Sequence, residues 1–113
     1  MTDRKQALQD LLVKVQAGWP EHVDQAYMPP FLAAFDMSWV AMYAWKANQG
    51  SLDAAMALHD AVLPGWGWYL DDCGSVSVYF GENGLEFGAR NTGNPARAWI
   101  CAILQALIAE CDA

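Results

Sequence analysis

The chain has 113 residues, of which 55% are hydrophobic and 17% charged. That is one domain's worth of sequence with enough apolar side chain to fill a core, which excludes a disordered chain and any need for disulfides or a structural metal. Six Lys and Arg stand against thirteen Asp and Glu, a net charge of −7, and this argues against direct binding of nucleic-acid phosphates or anionic membranes, which takes clustered cations.

Residues 4–17 carry Leu8, Leu11, Leu12 and Val15 at i, i+3, i+4, i+7, a spacing that predicts a helix stopped by Gly18 and Pro20. Residues 19–29 read as irregular. Pro29-Pro30 opens a second helical region to about Ala47, with Phe31, Leu32, Phe35, Trp39, Met42 and Tyr43 as its apolar positions. Asp36 and Ser38 are candidate caps inside it, so the region reads equally as one helix or two. After Gly50, Ser51 is a good N-cap and Asp53 suits the first turn of the next helix. Its stripe runs through Leu52, Ala55, Met56, His59, Val62 and Leu63, and Pro64-Gly65 ends it.

The apolar period then changes from 3.6 to 2. Trp66, Trp68 and Leu70, then Val76, Val78 and Phe80, then Leu85, Phe87 and Ala89 each alternate with polar or small residues. The intervening Asp72-Cys73-Gly74 and Glu82-Asn83-Gly84 are turn sequences, so this is a three-stranded antiparallel meander. Asn94 followed by Pro95 starts a last helix, to about residue 111. Trp99, Ile100, Ile103, Leu104, Leu107 and Ile108 are too many for one stripe, so this helix packs on more than one side, between layers or against a partner such as a second copy. The expected fold is α+β: one domain over 1–113, with a helical part (4–47) and a helix–meander–helix core (51–111). Three or four helices surround the meander, and the C-terminal helix packs on the sheet. No apolar run approaches the ~18 residues of a membrane span. Met1 to Gln6 leads into an amphipathic pattern rather than a signal peptide, so a cytoplasmic protein is expected.

Two stretches resemble a known group. Gly50 to Trp66, ending Leu63-Pro64-Gly65-Trp66, and Asn94-Pro95-Ala96-Arg97-Ala98-Trp99, followed by Ile103 to Leu107, are similar to a family of small proteins encoded by phages and prophages of proteobacteria. These resemble the phage α-β-α sandwich domain group, in which a helix, a small meander and a final helix form the core. The likeness covers about residues 50–108. It implies a phage origin and a similar fold, and it implies no activity.

The residues that could carry chemistry are few. Cys73, Cys101 and Cys111 form no C-x-x-C, and the last two stand roughly 15 Å apart along one helix, too far to bridge. Those two read as small buried hydrophobes in a reducing compartment, and Cys73 as a turn residue. His59 lies on an apolar stripe and reads first as a buried, hydrogen-bonded side chain; a base or ligand would need a second imidazole, thiolate or carboxylate beside it. The histidines and cysteines fit no metal-ligand spacing, and no nucleophile elbow or phosphate loop is present. No catalytic residue, metal or cofactor is therefore expected.

Between Lys46 and Arg90 there is no Lys or Arg, while Asp53, Asp60, Asp71, Asp72, Glu82 and Glu86 fall in that span. These carboxylates read either as a solvated surface that keeps a hydrophobic chain in solution or as a patch for a basic partner, such as a groove built for nucleic acid in another protein. Trp66, Trp68 and Trp99 are readily placed in a core. Trp19, Trp45 and the outward Tyr69 and Tyr79 are not, and surface aromatics are typical contact residues, although sheet propensity also accounts for the tyrosines. Base stacking on them would require a basic groove that is missing.

The expected function is non-enzymatic: a phage-encoded accessory protein that binds a host or phage protein with a basic surface. Its most specific form is an inhibitor of a host antiviral defence complex such as a CRISPR–Cas effector. The alternatives are a self-assembling structural or virion-associated protein, joined through Trp99–Ile108, and a small enzyme centred on His59.

Overall fold

A computed structural model describes residues 4–17, 28–35, 37–81, 85–90 and 93–111. Their order is α1 (Arg4–Gln16), α2 (Met28–Ala34), α3 (Ser38–Asn48), α4 (Leu52–Val62), β1 (Gly67–Leu70), β2 (Ser75–Phe80), β3 (Leu85–Arg90) and α5 (Pro95–Cys111). This is the α+β fold expected, with five helices among the described residues rather than three or four because the second helical region is broken. Phe35 N–H still reaches Phe31 O at 2.9 Å, but Met37 is extended (φ −106°, ψ 130°) before its own carbonyl receives Ala41 N–H. Among the candidate caps, Asp36 lies outside the described residues. The break re-aims the chain, so that Phe31, Ala34 and Phe35 from α2 and Val40, Ala41, Ala44 and Ala47 from α3 all enter one core.

α4 begins as its sequence dictates, with Ser51 Oγ accepting Ala54 N–H at 3.1 Å. It ends at Leu63, whose N–H reaches His59 O at 2.8 Å, and Gly65 takes the left-handed conformation (φ +87°) that turns the chain toward β1. Its buried face differs from the expected stripe. Ala54, Ala55, Leu58 and His59 are buried, whereas Leu52 and Met56 are exposed. α4 packs on α3 and α5, and the expected stripe holds at Ala55 and His59, fails at Leu52 and Met56, and omits Ala54 and Leu58.

The strands pair antiparallel in the order β1-β2-β3, with Trp68 opposite Val78 and Val78 opposite Phe87. Alternation puts Trp68, Val76, Val78, Phe87 and Ala89 on the face toward α5. α5 is the centre of the molecule. It starts on an Asn94 cap, Oδ1 accepting Arg97 N–H at 3.1 Å, with Pro95 in the first turn. It packs on β2 and β3 with one side and on α1, α3 and α4 with the others. Trp99, Ile100, Ile103, Leu104 and Leu107 are at most 2% exposed, each contributing about 2 kcal/mol by leaving water. Most of the surplus of apolar residues is thus consumed between layers of its own chain, with Ile108 half-buried. Two smaller expectations are also corrected. Cys111 is exposed rather than buried, and Trp45 packs half-buried against the core rather than on the surface. Trp19 and the Glu82-Asn83-Gly84 turn lie outside the described residues.

Candidate interaction surface

The register that sends Trp68 and Val78 inward sends Tyr69, Ser77, Tyr79, Glu86, Gly88 and Arg90 to the opposite face. Of the eight residues chosen from sequence, Tyr69, Tyr79 and Glu86 meet there. The Tyr69 and Tyr79 rings are 6.3 Å apart between centroids, and the Tyr69 hydroxyl donates to Glu86 Oε1 at 2.8 Å. That bond spans all three strands, since Tyr69 is on β1 and Glu86 on β3. Tyr79 lies flat across Gly67, where an added Cβ would fall within its ring. Glycine at 67 is therefore what lets the tyrosine settle on the backbone, an aromatic covering a strand glycine. Both tyrosines stay 40–50% exposed, so two rigid rings present area while their positions are fixed.

The other carboxylates are placed separately. Asp71 Oδ1 accepts the N–H groups of Cys73 (2.8 Å) and Ser75 (3.0 Å), which builds the β1–β2 turn. Asp72 is exposed on the same turn, and Arg90 Nε donates to Cys73 O there at 3.3 Å. Asp53 and Asp60 are exposed on α4, away from His59 on that helix. Glu82 lies outside the described residues. Among the described residues, no Lys or Arg forms an ion pair with Asp53, Asp60, Asp71, Asp72 or Glu86, so their charge is presented to solvent.

His59 has a structural assignment. It is 1% exposed, and Trp99 Nε1–H donates to its Nδ1 at 3.3 Å. An indole nitrogen only donates, so Nδ1 is the unprotonated nitrogen, and Nε2–H donates to Trp66 O at 2.9 Å. Both nitrogens are engaged, which leaves none for a base or a ligand. The arrangement ties α4 to α5 and to the start of the meander, where the Trp68 and Trp99 rings pack tilted at 39° with centroids 4.4 Å apart. Among the described residues there is no group of three His, Cys, Asp or Glu that could hold a metal ion.

Sequence reasoning missed a second polar cluster. Asn48 O, at the end of α3, accepts from Arg97 Nε (3.2 Å), Arg97 Nη2 (3.0 Å) and Asn94 Nδ2 (3.2 Å). The start of α5 is thereby clamped to the end of α3. Burial lowers the Arg97 pKa, against a smaller opposing effect of Cys101. Burial also pushes the Cys101 thiol up to about 11, with Arg97 pulling the other way. A buried thiol held protonated is not a nucleophile. The pairing of positions 48 and 97 has no local signature in sequence, because one partner is a backbone carbonyl.

No protein family matches the chain, and neither a curated protein nor a solved structure does. No helix of the described residues is long and apolar enough to cross a membrane.

Proposed function

We propose that this chain is a phage-encoded accessory protein that works by binding another protein with a basic surface, using the outer face of the meander. The observation that carries the reading is the uncovered sheet face on which Tyr69, Tyr79 and Glu86 are held together. Rigid exposed aromatics supply contact area at low entropic cost. The net charge of −7 steers a cationic partner and makes association sensitive to salt. The phage assignment rests on the resemblance of residues 50–108, and the target class follows from charge: a nucleic-acid channel in a host defence complex, such as a CRISPR–Cas effector, is a basic surface of this kind.

The test is plasmid interference in a bacterium with an active effector, with and without this protein. Expression is expected to restore plasmid uptake. Tyr69→Ala and Asp72→Lys are expected to abolish that effect while leaving the fold intact, because neither side chain holds a buried contact. Asp71 is unsuitable for charge reversal, since it builds the turn. Uptake that stays blocked, or is restored equally by both variants, contradicts the proposal.

A further inference from the structure

We infer that the cavity between α1, β3 and α5 is a binding site for a small oxyanion of phosphate size. Its volume is about 220 Å³, below the roughly 300–1,000 Å³ of sites that take drug-sized ligands. Gln16 from α1, Arg90 at the end of β3, and Arg97 and Gln105 from α5 line it, with Val15 and Cys101 on its apolar wall. Two of the six Lys and Arg of a chain with net charge −7 thus border one small cavity. Among the described residues, no carboxylate lines it. The three elements carry one each, Asp10, Glu86 and Glu110, and each is placed elsewhere. Asp10 Oδ1 accepts from Gln6 Nε2 at 2.8 Å. Glu86 is bound to Tyr69 on the outer face of the sheet, and Glu110 lines a different cavity, with Arg4 and Trp39.

The state of Arg97 says what belongs in the cavity. A guanidinium has five N–H donors, and Arg97 places Nε and Nη2 on a single neutral acceptor, Asn48 O. Among the described residues, its other side-chain donors have no acceptor and its charge has no ion-pair partner. The side chain is half-buried, and loss of solvation is what lowers its pKa. Cys101, on the same wall, does not compensate, because its thiol is pushed up to about 11 and keeps its proton at neutral pH. A half-buried charge with spare donors and no counter-ion is stabilised by an anion beside it, and an apolar wall strengthens that attraction by excluding water. Gln105 Nε2 has one hydrogen on Gly88 O and a second to offer. Arg90, whose Nε is held on Cys73 O, adds charge at the rim. The N-terminus of α5 takes no part, since Asn94 Oδ1 already accepts the Arg97 backbone N–H.

The test is titration of inorganic phosphate into the isotopically labelled protein at constant ionic strength, with sodium chloride as the balancing salt. Saturable shifts are expected at Arg97 Nε–H and at the amides of Cys101 and Gln105. Half-saturation falls in the millimolar range, as a few charge-assisted hydrogen bonds supply. Gln16→Glu, at an exposed position where folding is not at risk, brings a like charge to the cavity and weakens binding about tenfold; Gln16→Lys tightens it by a similar factor. A capped phosphoserine peptide distinguishes the sources of the group: binding tighter than that of phosphate assigns the site to a phosphorylated chain, and weaker binding assigns it to the free ion. The inference is overturned if phosphate gives no saturable shift at Arg97, if chloride alone reproduces the shifts, or if both Gln16 variants bind phosphate as the parent protein does. None of these residues belongs to the Tyr69–Tyr79–Glu86 contact, so the outcome is independent of the function proposed above.

Discussion

His59 is the residue whose sequence context most invites a catalytic reading, and its surroundings explain why it is buried instead. Its two nitrogens meet one group that only donates and one that only accepts. Replacing it by alanine strands the Trp99 indole N–H and the Trp66 carbonyl as well as opening a cavity. His59→Ala is expected to destabilise the fold by about 3 kcal/mol, measured by urea unfolding, and a loss under about 1 kcal/mol would contradict the assignment. The cysteines give a second residue-scale prediction. Cys73 and Cys111 are exposed and Cys101 is buried, so a thiol reagent at neutral pH should modify two thiols in the native protein and the third on unfolding. Because the folded state raises the Cys101 pKa from 9.0 to about 11, the folded thiol keeps its proton where the unfolded one loses it. Its contribution is fully present below pH 9 and is lost as pH rises from about 9 to about 11. Cys101→Ala should flatten that part of the stability profile.

At the scale of elements, helix starts are the clearest local devices. Ser51 caps α4 with one bond, whereas Asn94 caps α5 and also reaches Asn48 O across the fold. Ser51→Ala is expected to cost about 1 kcal/mol and Asn94→Ala about 2 kcal/mol; equal costs in thermal unfolding would show that the bond to α3 contributes nothing. Both caps were legible in sequence, as were the meander and the depth of α5. Each is written in a short window: Ser51 before an apolar run, Asn94-Pro95, an alternating period of two. The buried face of α4 was legible only in part: Ala55 and His59 were on the expected stripe, but Ala54 carries little hydrophobic weight, and Leu52 and Met56 carry much while lying exposed. The break before α3 was legible only as an alternative: Asp36 and Ser38 mark it as candidate caps, but the apolar spacing is almost unchanged across the extended Met37, so one helix and two read alike. Trp45 was misplaced because a lone aromatic on a helix reads the same whether a neighbouring element covers it or not.

For the whole molecule, the candidate surface was legible in part. Tyr69, Tyr79 and Glu86 were chosen from alternation and charge, and strand register brings them onto one face. Asp53 and Asp60 belong to α4, Asp71 and Asp72 to the β1–β2 turn; a sequence span free of Lys and Arg does not say how a chain folds its carboxylates through space. Charge at this scale acts on encounter rate, so capture of a basic partner should fall as salt rises above about 0.15 M while the fold is unaffected. The central claim is that the meander's outer face, rather than the helical side, meets the partner. Hydrogen exchange with mass-spectrometric readout, comparing the protein alone with the protein mixed with the effector used in the plasmid test, tests it most directly. Slower exchange in the peptides spanning Gly67–Leu70, Ser75–Phe80 and Leu85–Arg90, with α4 unchanged, is the result the account predicts. Protection confined to α3 and α4, with the strands exchanging as in the free protein, would contradict it.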